Sequence, residues 1–229
     1  SYLNPISTHL EIEMNNRQNE LGTKSGNGVW QASIDWLIKE NFRISGNILF
    51  DEFTIDKDHE LEEGEGHSNA VSVRAVWSPK VVKQMYTSFF TEYIMVGTHT
   101  LRHQSGYNNF VQRGLPLGWQ HGSDGDQYRV GLNIFNNTNL ITKLSFGSRR
   151  LGKETITNDP YAPYPHFQEV PFPSGTVTKT KFISGDLQWW WKQNVSLMAG
   201  LEWLDSDKDG QEFSFRIGFD IYYPSSFKL

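Results

Sequence analysis

The chain has 229 residues, with 26 acidic side chains against 21 basic ones and a formal net charge of −5. This length fits one all-β barrel or sandwich domain, and the negative charge argues mildly against nucleic acid as a partner. Cysteine is absent, which excludes disulfides and thiolate metal sites. Nowhere does the sequence contain the run of about 20 apolar residues that a transmembrane helix needs.

Alternation of apolar and polar residues with a period of two predicts about ten strands. The last strand is the clearest, because Phe213, Phe215 and Ile217 alternate with Ser214 and Arg216. A weaker strand comes first. In chain order, the predicted strands cover residues 8–15, 30–39, 42–51, 69–77, 85–97, 127–135, 140–149, 178–191, 194–204 and 213–223.

The connections between these strands alternate in length. Short turns are predicted at residues 40–41, 79–83, 136–139 and 192–193. Long loops are predicted at residues 16–28, 57–68, 98–126 and 152–177, with a smaller one at 205–210. Long loops at one end and tight turns at the other are typical of outer-membrane β-barrels, in which the short turns are periplasmic. An even number of strands then predicts both termini in the periplasm.

Aromatic side chains mark both ends of the predicted strands. Those just before a short turn or near the C-terminus are Trp36, Trp77, Trp191 and Tyr223. Those near the long loops are Trp30, Phe50, Tyr93, Tyr128, Phe146, Trp203 and Phe213. Membrane–water interfaces select two such rings. The pattern therefore favours an antiparallel transmembrane β-barrel in contact with outer-membrane lipid over a soluble sandwich or jelly roll.

The inward-facing charges of the predicted barrel nearly balance. They are Arg43, Arg74, Arg129, Lys143 and Arg216 against Asp35, Asp51, Glu92, Asp186, Glu202 and Asp220. A selective channel usually carries a ring of one sign, whereas charges away from water are normally paired. The balance favours a filled, salt-bridged interior over an open path, and a porin-like channel for small solutes is the alternative.

The longest loop carries the candidate binding residues. Its rings, forked polar groups and glycines suit a sugar, whose apolar faces stack on aromatics while its hydroxyls bond to polar groups. The candidate glycan-binding residues are Tyr107, Arg113, Trp119, His121, Asp124 and Asp126. The alternative interpretation is a self-packed loop that closes the barrel mouth.

Two other patterns receive less weight. Residues 205–210 copy the first half of a calcium loop, but Arg216 stands where the glutamate at position twelve is required. A hairpin with an Asp-Gly turn is the favoured interpretation. His121 beside Ser123 and Asp124 resembles a hydrolytic triad only superficially, because sequence neighbours rarely reach triad geometry. We therefore expect no metal, no cofactor and no enzymatic activity.

Short motifs resemble the Wzi-like capsule assembly family. Residues 47–56 read NILFDEFTID, residues 107–110 read YNNF, and residues 114–118 read GLPLG. The resemblance implies an outer-membrane barrel that acts as a surface lectin and attaches capsular polysaccharide or exopolysaccharide. Members usually have more strands and a preceding region, so residues 1–229 look like one barrel domain that is a C-terminal portion or a shortened relative. Only the loop at residues 107–126 is carried over as a candidate site, and the oligomeric state stays open.

Overall fold

The computed structural model describes residues 29–52, 68–79, 85–102, 109–136, 139–156 and 171–222, and their regular elements are all strands. No helix in these ranges is long and apolar enough to cross a membrane. The strands are β1 (Trp30–Lys39), β2 (Phe42–Glu52), β3 (Ser68–Trp77), β4 (Met85–Val96), β5 (Val111–Gln112), β6 (Leu115–Pro116), β7 (Gly125–Asn136), β8 (Leu140–Leu151), β9 (Thr178–Lys192), β10 (Val195–Ser206) and β11 (Gly210–Ile221).

Nine of these strands form one antiparallel sheet in the order β1-β2-β3-β4-β7-β8-β9-β10-β11. Each strand pairs with its neighbours in the chain, and the short β5–β6 hairpin is inserted between β4 and β7. The predicted all-β antiparallel fold is confirmed. Within the described ranges β1 and β11 are the two edges of the sheet, while the predicted strand at residues 8–15 lies outside them.

The strand boundaries differ from the predicted ones at β11. This strand begins at Gly210 and not at residue 213, because Ser206 and Gly210 pair directly and close a three-residue turn. The Asp207 carboxylate accepts a hydrogen bond from the backbone N–H of Lys179 at 2.9 Å. Residues 205–210 therefore belong to a β-hairpin, as the sequence predicted, and the carboxylate of Asp207 ties the turn to β9.

One face of the sheet is apolar and exposed. On β11, Ile217 is 76% exposed and Phe219 is 68% exposed, and large apolar residues are exposed on the other strands as well. Among the described residues, the buried hydrophobic side chains are Phe90, Val96, Leu101, Ile156 and Phe182. Since no second layer covers the apolar face in this part of the chain, the arrangement is unlike the interior of a β-sandwich.

The opposite face, called the polar face below, carries cross-strand ion pairs. Glu92 on β4 accepts from Arg129 on β7 at 2.5 Å and lies 3.9 Å from Arg74 on β3. Arg43 pairs with Asp35 in the β1–β2 hairpin. A further pair joins Arg216 to Asp186 at 3.6 Å. The expected pairing of opposite charges is found at these positions.

Asp51, one of the predicted inward charges, lies near the end of β2. Its carboxylate is buried and accepts a hydrogen bond from the backbone N–H of Leu101 at 2.5 Å. The end of β2 is thereby tied to the connection between β4 and β7. Asp51 thus anchors a loop to the sheet.

Candidate functional site

The described part of the connection between β4 and β7, residues 97–102 and 109–124, packs against the sheet. Val96, Leu101 and Ile156 form a buried apolar cluster, and Trp119 and Phe110 pack against it. Because Val96 belongs to β4 and Ile156 to the connection after β8, the cluster joins two connections to the strand ends. This contact fixes the position of Trp119 relative to the strands.

Asp124 is the polar centre of the same region and is fully buried. Its Oδ1 accepts from Thr98 Oγ1 at 2.9 Å and from the backbone N–H of Ser174 at 2.8 Å. Its Oδ2 accepts from the backbone N–H of Glu154 at 3.0 Å and from the Ser174 hydroxyl. A Cβ at position 152 would overlap this carboxylate, so the space requires Gly152. Asp124 therefore holds the two long connections together.

A buried ion pair lies beside Asp124. The side chain of Arg102 is fully buried and donates to Glu154 Oε2 at 3.1 Å and to the Thr98 carbonyl at 3.3 Å. The neighbouring His99 is 5% exposed. Burial, followed by the positive charge of Arg102, lowers the pKa of His99 to about 4. His99 is therefore neutral at neutral pH.

His121 lies on the Trp119 side of the connection. The rings of Trp119 and His121 meet edge to face with centroids 5.1 Å apart. His121 Nε2 lies 2.9 Å from Arg149 Nη1, and because a guanidinium can only donate, His121 accepts this bond. Burial, followed by the positive charge of Arg149, lowers the pKa of His121 to about 4. His121 Nε2 also lies 3.1 Å from the Gln120 amide nitrogen. Because the Asp124 carboxylate is bonded to Thr98, Glu154 and Ser174, residues His121, Ser123 and Asp124 do not assemble a triad.

A groove of about 510 Å³ lies between this connection and the polar face. The indole of Trp119 forms part of its wall, and its polar lining includes the paired Glu92 and Arg129. Its amide side chains come from β1, β2, the connection and β7, and they are Gln31, Asn47, Gln120 and Gln127. This volume lies within the range of small-molecule sites, about 300–1,000 Å³.

The six predicted site residues do not form one set. Trp119 lines the groove and His121 contacts Trp119. Arg113 is exposed in the two-residue turn of the β5–β6 hairpin, where it and Gly114 have φ of +53° and +78°. Asp124 is buried in the contacts described above, so it does not offer a carboxylate to a glycan. Tyr107 lies outside the described residues.

Asp126 also differs from its predicted role. It is buried, and Arg150 donates to its Oδ1 through Nε at 2.9 Å. The Tyr93 hydroxyl lies 3.4 Å from its Oδ2. Since β7 alternates, Asp126 shares the apolar face with Tyr128, whereas Gln127 lies on the polar face. Asp126 is therefore on the side of the sheet opposite the groove.

Sequence reasoning missed the amides that line the groove. Strand alternation already placed Gln31 and Asn47 on the polar face, which was a usable signal. No local pattern indicated that residues 97–124 would cover them, because that contact joins residues distant in the chain.

A second cavity, of about 420 Å³, lies elsewhere on the polar face. It is lined by Lys143, Asp186, Gln188 and Arg216, among other residues. Among the described residues, no group of three or more histidine, aspartate or glutamate side chains is placed to hold a metal ion. The polar face therefore has open space in two places, one over β1–β4 and β7 and the other over β8–β11.

No model of a known protein family matches the chain, and comparisons with curated proteins and with solved structures also find no match. The resemblance to the Wzi-like family therefore stays a prediction that rests on the motifs at residues 47–56, 107–110 and 114–118. The geometry of the groove and of the two sheet faces is the basis for inferring a function.

Proposed function

We propose that the chain is a non-enzymatic outer-membrane β-barrel of the Wzi-like kind that binds surface polysaccharide. The observation that carries this proposal is the groove between residues 97–124 and the polar face, with its four amides and the Trp119 indole. Amide groups both donate and accept hydrogen bonds, as sugar hydroxyls do. An aromatic ring offers a flat apolar surface for a sugar face.

The exposed apolar face supports a membrane location. Contiguous apolar patches of more than a few hundred Å² are rare on soluble monomers and mark membrane or protein contacts. In a membrane barrel the strands alternate apolar outward and polar inward, which matches the exposed Ile217 and the ion-paired Arg129. Together with the strand predicted at residues 8–15, the nine strands of the sheet would give the even number that is typical of such barrels.

A small-solute channel is the second candidate. The open space on the polar face favours it, notably the cavity beside Lys143 and Arg216. The pairing of Arg216 with Asp186 and of Arg129 with Glu92 favours a binding surface, because paired charges provide no one-sided selectivity ring. Stable single-channel steps in planar bilayers would favour the channel.

Two groove substitutions test polysaccharide binding on whole cells. Trp119→Ala should weaken binding by about 1–2 kcal/mol, the scale for truncating an interface aromatic. Gln120→Ala removes an exposed amide of the groove and should also lower retention of surface polysaccharide. The matched control is Gln193→Ala in the exposed β9–β10 turn.

Heat-modifiable gel migration of the same variants reports whether the barrel still folds. We expect both groove variants to remain heat-modifiable and to retain less polysaccharide than Gln193→Ala. Trp119 also packs against the Val96 cluster, so a purely structural role predicts a less stable Trp119→Ala protein with unchanged retention. Unchanged retention in both groove variants would contradict the proposed function.

A further inference from the structure

We infer that the groove binds an uncharged segment of glycan and discriminates against uronic acids and other anionic sugars. This inference rests on the proposed polysaccharide binding and adds the chemical class of the ligand. It follows from the paired charges and the neutral hydrogen-bonding groups that line the groove.

The charges that line the groove cancel each other. Of the described lining residues, Glu92 and Arg129 are the charged ones. Arg129 Nε and Nη2 donate to the same Glu92 oxygen at 3.1 and 2.5 Å. An incoming carboxylate would have to displace Glu92 from this guanidinium or lie beside a second negative charge. Both alternatives disfavour an anion.

Arg74 does not supply a free cation to the groove either. It lies on β3 outside the lining residues, 3.9 Å from Glu92, with its guanidinium carbon 4.7 Å from the centre of the Phe90 ring. The Arg129 guanidinium lies over the same ring at 5.5 Å. Phe90 and Glu92 thus hold the guanidinium groups of Arg74 and Arg129 against the strands, where these groups stabilise the sheet.

The remaining polar groups suit hydroxyls. Gln31 donates to Asn47 Oδ1 at 3.3 Å, and Asn47 donates to the Ser72 hydroxyl at 3.1 Å. This chain of neutral groups crosses β1, β2 and β3 on the floor of the groove. Amides and hydroxyls can exchange such bonds for bonds to sugar hydroxyls, whereas an anion removed from water requires an opposite charge to offset its desolvation.

Binding of two polysaccharide probes to the purified full-length chain tests this inference. We propose calorimetric titration with size-matched dextran, which is neutral, and alginate, which is a polyuronate, at low and at physiological salt. Wild type should bind dextran at least tenfold more tightly than alginate, with little dependence on salt. Gln31→Arg adds a cation at an exposed groove position and should lower the ratio of dextran affinity to alginate affinity severalfold. Gln193→Arg, the same change in the distant turn, should not.

The outcomes separate the inference from the function on which it rests. Equal or tighter binding of alginate, or dextran affinity that falls steeply with salt, would overturn the preference for neutral glycans and leave polysaccharide binding intact. Binding of neither probe would overturn both. Dextran binding that Gln120→Ala does not weaken would place the contact outside the groove and would also overturn the inference.

Discussion

Asp124 illustrates how a residue that looks available in the sequence can be committed inside the fold. In the sequence it lies in a glycine-rich polar loop and suggests sugar binding. In the structure its two oxygens accept four hydrogen bonds from Thr98, Glu154 and Ser174. These partners lie 20 or more residues away along the chain, so no local pattern could reveal them. Trp119, in contrast, lines the groove.

Removing the Asp124 carboxylate should loosen both long connections. Asp124→Ala removes the acceptor of the buried Ser174 N–H and of the Ser174 hydroxyl, and a buried donor left without a partner costs roughly 1–3 kcal/mol. Gly152→Ala should act in the same direction, because its methyl group would overlap the carboxylate. Limited proteolysis in detergent should cut residues 97–124 faster in both variants than in Asp209→Ala, a change in an exposed turn. If both variants were cut as slowly as the wild-type protein, Asp124 would not hold the two connections together.

Acid should also open these connections. The pKa values of His99 and His121 are lowered to about 4 in the folded state, against about 6.5 in an unfolded segment. The open form therefore binds protons first as the pH falls, and the closed form loses stability between about pH 6.5 and 4. Proteolytic sensitivity should rise through that window, and His121→Gln should flatten the rise. A profile that is level from pH 7 to 4 would contradict this prediction.

At the scale of elements, the long strands were predictable and the short ones were not. Period-two alternation locates β1, β2 and β10 within a few residues, because each has one apolar and one polar face. The β5–β6 hairpin has only two residues in each strand, too few for any periodic signal. The early start of β11 depends on direct pairing of Ser206 with Gly210, which the alternation of side chains does not encode.

The apolar face of β11 gives a prediction that distinguishes lipid from water. Ile217→Arg should destabilise the protein by roughly 2–4 kcal/mol if this face meets the middle of a bilayer. If this face instead meets water, the same change at a side chain that is 76% exposed should cost no more than about 0.5 kcal/mol. The control is Ser214→Arg, an exposed position on the polar face that pairs with Glu202. Equal unfolding midpoints in lipid for the two variants would argue against bilayer contact.

At the scale of the whole molecule, the described sheet separates its apolar and polar side chains onto two faces. The described sheet exposes large apolar side chains on one face, and its groove and the Glu92–Arg129 ion pair lie on the other. Alternation in the sequence predicted this separation of faces. The groove on the polar face depends on which connection packs over which strands. Those contacts join residues distant in the chain, so neither composition nor strand alternation predicts them.

The most direct test is quenching by lipid along β11. The chain has no cysteine, so single cysteines at positions 213–220 can each carry a fluorophore in vesicles that contain nitroxide-labelled lipid. We predict strong quenching at positions 213, 215, 217 and 219 and weak quenching at positions 214, 216, 218 and 220. Quenching without this alternation, or no quenching at any position, would contradict a membrane-spanning barrel.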